Sequence, residues 1–199
     1  NRKIMKTRDG DNVQLLDVLQ EAVERASAIV KEKNPTLSKD EQKDISEAIG
    51  LGAVKYAELS QHRMTDYIFS WDKMLSFQGN TAPYLMNAYV RTRAIFRKLG
   101  DDVTFSDAVT IEADGERALA IKLTQFGETV PDILNDFRPN LLANYLFELA
   151  QTFHSFYEEC PILKSEGGTR ASRLVLCELT SRVLKQGLDL LGIRVTDRM

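Results

Sequence analysis

A mainly α-helical fold, a helical bundle preceded by a small mixed α/β segment, is what this 199-residue sequence predicts, on three observations. Apolar residues recur at three- and four-residue steps through several long stretches, the period that keeps them on one helix face. Helix starts are marked chemically, by Ser38 with Glu41 and by Pro83 and Pro139. The β signal is confined to Tyr67-Ile68-Phe69, short, aromatic and β-branched.

The elements follow in order. Asn1 to Asn12 is basic, turn-rich around Asp9-Gly10-Asp11 and without apolar period, and reads as a loop. Leu15, Leu16, Leu19, Ala22, Val23, Ala26, Ile29 and Val30 line one face of a first helix that Pro35 ends. Ser38 and Glu41 have capping-box spacing and open a second helix, which Gly50 and Gly52 are expected to interrupt before Ala53 to Ser60 resumes it. Tyr67 to Phe69 is then expected to form a strand orphaned from a larger sheet. Gly79-Asn80 is a turn, and a helix starting around Pro83 should run to about Leu99. Asp101 to Asp114 is a weakly patterned connection. Leu119, Leu123, Phe126, Val130, Ile133 and Leu134 predict one further helix, bent at Gly127 or Pro131. The strongest pattern follows Pro139: Leu141, Leu142, Tyr145, Leu146, Leu149, Phe153, Phe156 and Tyr157 along one side, up to Pro161. A last helix should span about Ala171 to Leu191 and stop at Gly192. The mixed segment and its connection occupy residues 1–80 and the bundle 81–199.

Composition excludes several classes. Apolar residues make up 43% and charged residues 28%, which is ordinary for a soluble domain and far from disorder. Cys160 and Cys177 have no His or Cys partner at zinc spacing, so both are read as core residues in a reduced, cytoplasmic setting and no metal site is expected. No apolar run approaches the roughly 20 residues that cross a bilayer. A net charge of −3 argues against an indiscriminate nucleic-acid binder. Any RNA site has to be local, and Lys73 to Gly100 is the place to seek it, with five basic residues and no Asp or Glu.

Four segments resemble the C-terminal half of bacterial-type arginyl-tRNA synthetases, in that family's order and over essentially the whole chain. They are Lys6 to Gly10 leading into Leu15-Leu16-Asp17-Val18-Leu19; Gly52-Ala53-Val54-Lys55-Tyr56-Ala57; Met74 to Tyr84; and Gly187 to Ile193 through Asp197-Arg198-Met199. The resemblance implies that residues 1–80 are the end of a class I catalytic domain with a connecting stem, and that 81–199 are an anticodon-binding helical domain. The complete enzyme would use ATP with Mg2+ to join arginine to its transfer RNA, and would be monomeric. Lys6 stands where that family carries a lysine-bearing loop over the ATP phosphates. No H-x-G-H signature and no doubly wound run of strands is present, so the chain by itself is expected to bind no cofactor and to turn over nothing.

An anticodon presents unstacked bases, which call for aromatic platforms, groups that meet base edges, and cations for the phosphates. Tyr84, Asn87, Arg91 and Lys98 combine these at helical spacing after Pro83, and Tyr145 with Phe147 and Glu148 offers aromatic surface after Pro139. From spacing alone each tyrosine reads as a core ring; the resemblance reverses this for Tyr84 and Tyr145, placing them near the anticodon, and leaves Tyr56, Tyr89 and Tyr157 in the core. Arg91 and Arg93 lie about 200° apart on a helix, whereas Arg91 and Lys98 share a face and are the expected phosphate contacts. Met199 is expected to complete the pocket against Tyr84. His62 and His154 carry no attached motif and are read as packing or solvated residues, and Asn140 and Phe147 stand where relatives more often have His and Tyr. The rival reading is a helical protein-interaction module using the same aromatic stripe.

Overall fold

The structure, a computed structural model, describes residues 14–66 and 68–199. The predicted loop at Asn1 to Asn12, with Lys6, and Tyr67 lie outside the described residues.

Helices α1 (Leu15–Lys33) and α2 (Lys39–Leu59) form a hairpin across a short turn containing Pro35. Ala22, Ala26 and Val30 of the predicted α1 stripe are buried in the hairpin with Ile45, Ile49 and Ala53 of α2, whereas Leu15 and Leu16, at the start of that stripe, are 69% and 61% exposed. The capping box is formed: the Glu41 N–H donates to Ser38 Oγ at 3.2 Å and the Ser38 N–H to Glu41 Oε2 at 3.0 Å. Gly50 and Gly52 do not interrupt α2. A Cβ on Gly50 would fall 2.7 Å from the Val23 Cα, so this glycine is where the α1 backbone comes closest. Helical bonding plus that contact outweighs the modest helix cost of glycine, about 1 kcal/mol.

The expected strand is not found: Ile68 and Phe69 are irregular and 70% and 39% exposed, and no strand occurs among the described residues. A strand needs a partner edge, and Phe69 instead meets Trp71 edge-on at 4.7 Å, under the Arg25 guanidinium 5.3 Å from the Trp71 ring. Trp71 opens a single turn, α3 (Trp71–Met74).

The bundle comprises α4 (Ala82–Leu99), α5 (Asp114–Thr124), α6 (Phe126–Asp136), α7 (Pro139–Glu159) and α8 (Gly167–Leu190). The single bent helix predicted over Leu119 to Leu134 is two, parted at Gln125 rather than at Gly127 or Pro131. Pro131 deprives only the Gly127 carbonyl of a donor, and both residues are exposed, so water can serve it. At the end of α6, Arg63 Nη1 donates to the Asp136 carbonyl at 2.6 Å and the Phe137 carbonyl at 3.1 Å, satisfying groups a helix end leaves open.

Helix α7 is the axis, packing on α4, α5, α6 and α8 through Leu142, Leu146, Leu149, Phe153 and Phe156. Each such side chain contributes about 1.5–3 kcal/mol when fully buried. Gly187 lets α8 lie on α7, since a Cβ there would sit 2.5 Å from Leu146 Cδ2. Both cysteines are buried and free. One apolar core runs from Ala26 through Tyr56, Met74 and α4 to Ile193, and no described helix is long and apolar enough to cross a membrane.

Candidate nucleic-acid interface

Helix α4 carries most of the candidate residues, and its start is fixed by the segment before it. Thr81 Oγ1 accepts the Tyr84 N–H at 3.3 Å and donates to the Ser76 carbonyl at 2.6 Å, folding Ser76 to Thr81 back on the helix. The Tyr56 hydroxyl lies 2.5 Å from Asn80 Oδ1 and 2.9 Å from the Ala143 carbonyl, tying that segment to α2 and α7. Tyr56 is thus a core ring, as expected.

Leu85, Met86, Ala88, Tyr89, Thr92 and Ile95 point α4 inward, which leaves Tyr84, Asn87 and Arg91 half-buried and Lys98 exposed. Tyr84 stands on α7: its ring lies 5.5 Å from Phe147 and 5.0 Å, edge-on, from His154, and its hydroxyl is 2.9 Å from His154 Nδ1. Burial pushes the Tyr84 hydroxyl above its ordinary pKa, partly offset by Arg91. Burial and then Arg91 hold the His154 imidazole down at about 4, so it is neutral at physiological pH. The Arg91 guanidinium lies 5.2 Å from the Tyr157 ring centre.

The four α4 cations separate by partner. Arg93 Nη1 is 3.4 Å from Glu178, and Arg97 Nη1 donates to the Asp197 carbonyl at 2.6 Å. Arg93 alone has a carboxylate partner among the described residues; Arg97 is tied to the C-terminal tail through a backbone carbonyl, and the charges of Arg91 and Lys98 are available to an anion.

Tyr145 is placed differently from the expectation. Only 4% of it is exposed, its hydroxyl donates to the Lys122 carbonyl at 2.9 Å, and the Phe126 ring lies tilted against it, 5.7 Å between centres. A base could stack on this ring only by prying α5 and α6 off α7, so Tyr145 is a packing residue. The Lys122 ammonium pairs with Glu148 beside it.

Tyr84 is not among the residues lining the cleft that holds Met199. Met199 lines that cleft, of about 130 Å³, with Asn87, Phe77, Lys33, Ile29 and Ile49. The Lys33 ammonium sits 3.8 Å from the Phe77 ring centre there. The tail is laced down ahead of it: Lys55 Nζ donates to the Gly192 carbonyl at 2.5 Å, Arg194 Nη1 to Asp44 at 2.6 Å, and the Tyr89 hydroxyl to Asp197 at 3.1 Å. Singly such exposed pairs are weak, but a network restrains the chain. Asn87 and Met199 therefore line one cleft, with Asn87 one helical turn along α4 from Tyr84.

His154, Phe77 and Lys33 are the residues the sequence reading missed. Phe77 lies inside the Met74 to Tyr84 segment already singled out, whereas nothing in spacing distinguishes His154 or Lys33 from surface residues. A larger hollow, about 650 Å³ and lined by Asp66, Asp72, Lys73 and Asn80, lies beside Tyr56 and contains none of the expected RNA contacts.

Two family models match the chain. The tRNA synthetases class I (R) catalytic domain family matches residues 1–71, and the DALR anticodon binding domain family matches residues 85–199. The arginine-tRNA ligase of Mannheimia succiniciproducens is 54% identical over 199 residues, covering 99% of this chain and 34% of its own length. That of Chromobacterium violaceum is 51% identical over 197 residues, with 99% and 34% covered. The Thermus thermophilus arginyl-tRNA synthetase structure superposes with a TM-score of 0.87 at 33% identity, covering 96% of this chain and 33% of that one. The Plasmodium falciparum arginyl-tRNA synthetase gives 0.82 at 30% identity, covering 94% and 34%. The chain thus spans about a third of the length of the curated relatives it matches. On the match over 85–199, which takes in α4 to α8 apart from the first turn of α4, the chain belongs to the DALR anticodon binding domain family.

Proposed function

We propose that the chain reads the anticodon loop of arginine transfer RNA as part of an arginine-tRNA ligase. Residues 81–199 form the reading domain, and 1–80 are the end of the catalytic domain with its stem. The observation that carries this reading is the outer face of α4, where a half-buried tyrosine on an aromatic and imidazole base stands beside Arg91, with Lys98 further along and neither cation neutralised. A stacked base is worth about 1–3 kcal/mol on such a ring, and the cations release counterions from the loop phosphates. Asn87 and Met199, in the adjoining cleft, supply an amide and an apolar wall for a second base. The relatives named as arginine-tRNA ligases support the choice of transfer RNA.

ATP, Mg2+ and arginine belong to the complete, monomeric, cytoplasmic enzyme. The described residues do not fit a nucleotide: they offer no strand-to-helix phosphate loop, and Lys6, proposed to approach the phosphates, lies outside them. No step through ATP is therefore derived from these residues.

The test is salt dependence. Binding of the chain to an arginine anticodon stem-loop should weaken with salt, and Arg91→Ala and Lys98→Ala should each lower the logarithmic slope by about 0.7. Arg93→Ala, which removes a cation already paired with Glu178, should leave the slope unchanged. A slope indifferent to Arg91 and Lys98 would remove this face from RNA contact and favour protein docking.

A further inference from the structure

We propose that His154 sets the hydrogen-bonding polarity of the Tyr84 hydroxyl: the His154 Nδ1–H donates to the Tyr84 oxygen, leaving the Tyr84 O–H as a donor that selects a nucleobase acceptor, a carbonyl oxygen or bare ring nitrogen, over an amino group. The inference rests on the reading of Tyr84 as a base contact and assigns that contact its chemistry.

One proton lies between His154 Nδ1 and the Tyr84 oxygen, 2.9 Å apart. It comes either from the imidazole or from the phenol, and the other imidazole nitrogen decides which. His154 Nε2 is buried and has no hydrogen-bond partner among the described residues. Were the single proton of a neutral imidazole on Nε2, an N–H would be buried with nothing to receive it, a loss of order 1–3 kcal/mol. A bare nitrogen in the same place is an unsatisfied acceptor, the less costly and less rare defect. The proton therefore sits on Nδ1, and Nδ1 donates. The doubly protonated ring, which would also donate from Nδ1, is opposed by burial and by Arg91.

With its oxygen already accepting from His154, Tyr84 has its own proton to give. Its neighbours reinforce that sign. Phe147 offers no hydrogen bond, and Arg91, whose charge acts on the Tyr84 hydroxyl, can only donate. Glu158 also acts on the Tyr84 hydroxyl, but more weakly than Arg91. The surface at this point is donor-rich and fits the acceptor edge of a base.

His154 acts through Tyr84 and is a positioning residue. The sequence holds only two histidines, so 15N–1H correlation spectra of the histidine-labelled chain, assigned with His62→Gln, report the His154 tautomer directly. A protonated Nδ1 with a bare Nε2 is expected; the opposite tautomer overturns the proposal. Binding of an arginine anticodon stem-loop is then compared across Tyr84→Phe, His154→Leu, the double variant and His154→Asn, with folding checked by circular dichroism. Tyr84→Phe and His154→Leu should each weaken binding about threefold to tenfold, as loss of one hydrogen bond does, and the double variant should be no weaker than either. His154→Asn, whose amide N–H can stand where Nδ1–H stood, should restore affinity to within about twofold. Loss in Tyr84→Phe with none in His154→Leu, or no rescue by asparagine, overturns the role of His154 alone. Unchanged binding by Tyr84→Phe overturns the base contact itself, an outcome the tautomer measurement distinguishes because it needs no RNA.

Discussion

Glu116 is 1% exposed, and its carboxylate is fully used. Oε2 accepts the Glu112 N–H at 2.6 Å and the Ala113 N–H at 3.0 Å, closing the start of α5, and Oε1 accepts Arg173 Nε at 2.6 Å. Arg173, on α8, also donates to the Pro161 carbonyl at 3.2 Å and Ser165 Oγ at 2.7 Å, so one ion pair joins α5, α8 and the α7–α8 connection. Replacing Glu116 by Ala strands the guanidinium, 11% exposed, without its counterion and opens two backbone donors. Breaking a buried pair in this way costs about 3–5 kcal/mol, a large part of the roughly 5–15 kcal/mol that holds a domain together. At about 2–4 °C per kcal/mol for a chain of this size, Tm should fall by about 10 °C. Burial acts to raise the Glu116 pKa, but the Glu112 N–H, the Arg173 side chain and the Ala113 N–H together hold it below its ordinary 4.5. Its contribution is therefore fully present above the unfolded value and is lost as pH falls through the lower folded value. Thermal unfolding followed by circular dichroism from neutral pH down through the carboxylate range should show a shallower acid loss in Glu116→Gln than in the parent chain. A Glu116→Ala variant within about 0.5 kcal/mol of the parent, as for an ordinary surface substitution, would refute the reasoning.

Two further substitutions check the packing. Gly50→Ala would gain about 1 kcal/mol from helix propensity, but its Cβ would meet the Val23 and Ala22 backbone at 2.7–2.8 Å, and overpacking costs about 1–3 kcal/mol; urea unfolding should show a net loss, and a gain would mean that α1 yields freely. Tyr145→Phe removes the hydroxyl bonded to the Lys122 carbonyl and should lower stability by about 1 kcal/mol while leaving anticodon affinity unchanged; lost affinity at unchanged stability would return Tyr145 to the RNA face.

The helices were legible wherever one face is apolar, because burial along α7 or α1 imposes a period that sequence displays directly. Ser38, Thr81 and Pro139 mark starts by local chemistry, which sequence also carries. Tyr67 to Phe69 misled because β propensity describes a side chain's fit to a pleated surface, and Ile68 and Phe69 have none to join. Gly50 misled because a close approach to Val23 is visible only once α1 is placed. The same limit governs the candidate site. Tyr84 and Tyr145 both lie beside apolar stripes, and what separates them, the roof of Phe126 and Lys122 over Tyr145, comes from two other helices, α6 and α5. Helical geometry could pair Arg91 with Lys98, but the pairing of Arg93 with Glu178 and the tie of Arg97 to the Asp197 carbonyl depend on residues far along the chain. His154 gave no signal because its role is a contact across 70 residues.

The most direct measurement is a titration of the chain with arginine transfer RNA and with a copy whose anticodon is exchanged, each at low and at moderate salt. Anticodon reading requires tighter, salt-sensitive binding to the first, with the preference persisting as salt rises, because base contacts specify while phosphate contacts only position. Equal affinity for the two, or no binding to either, would contradict it.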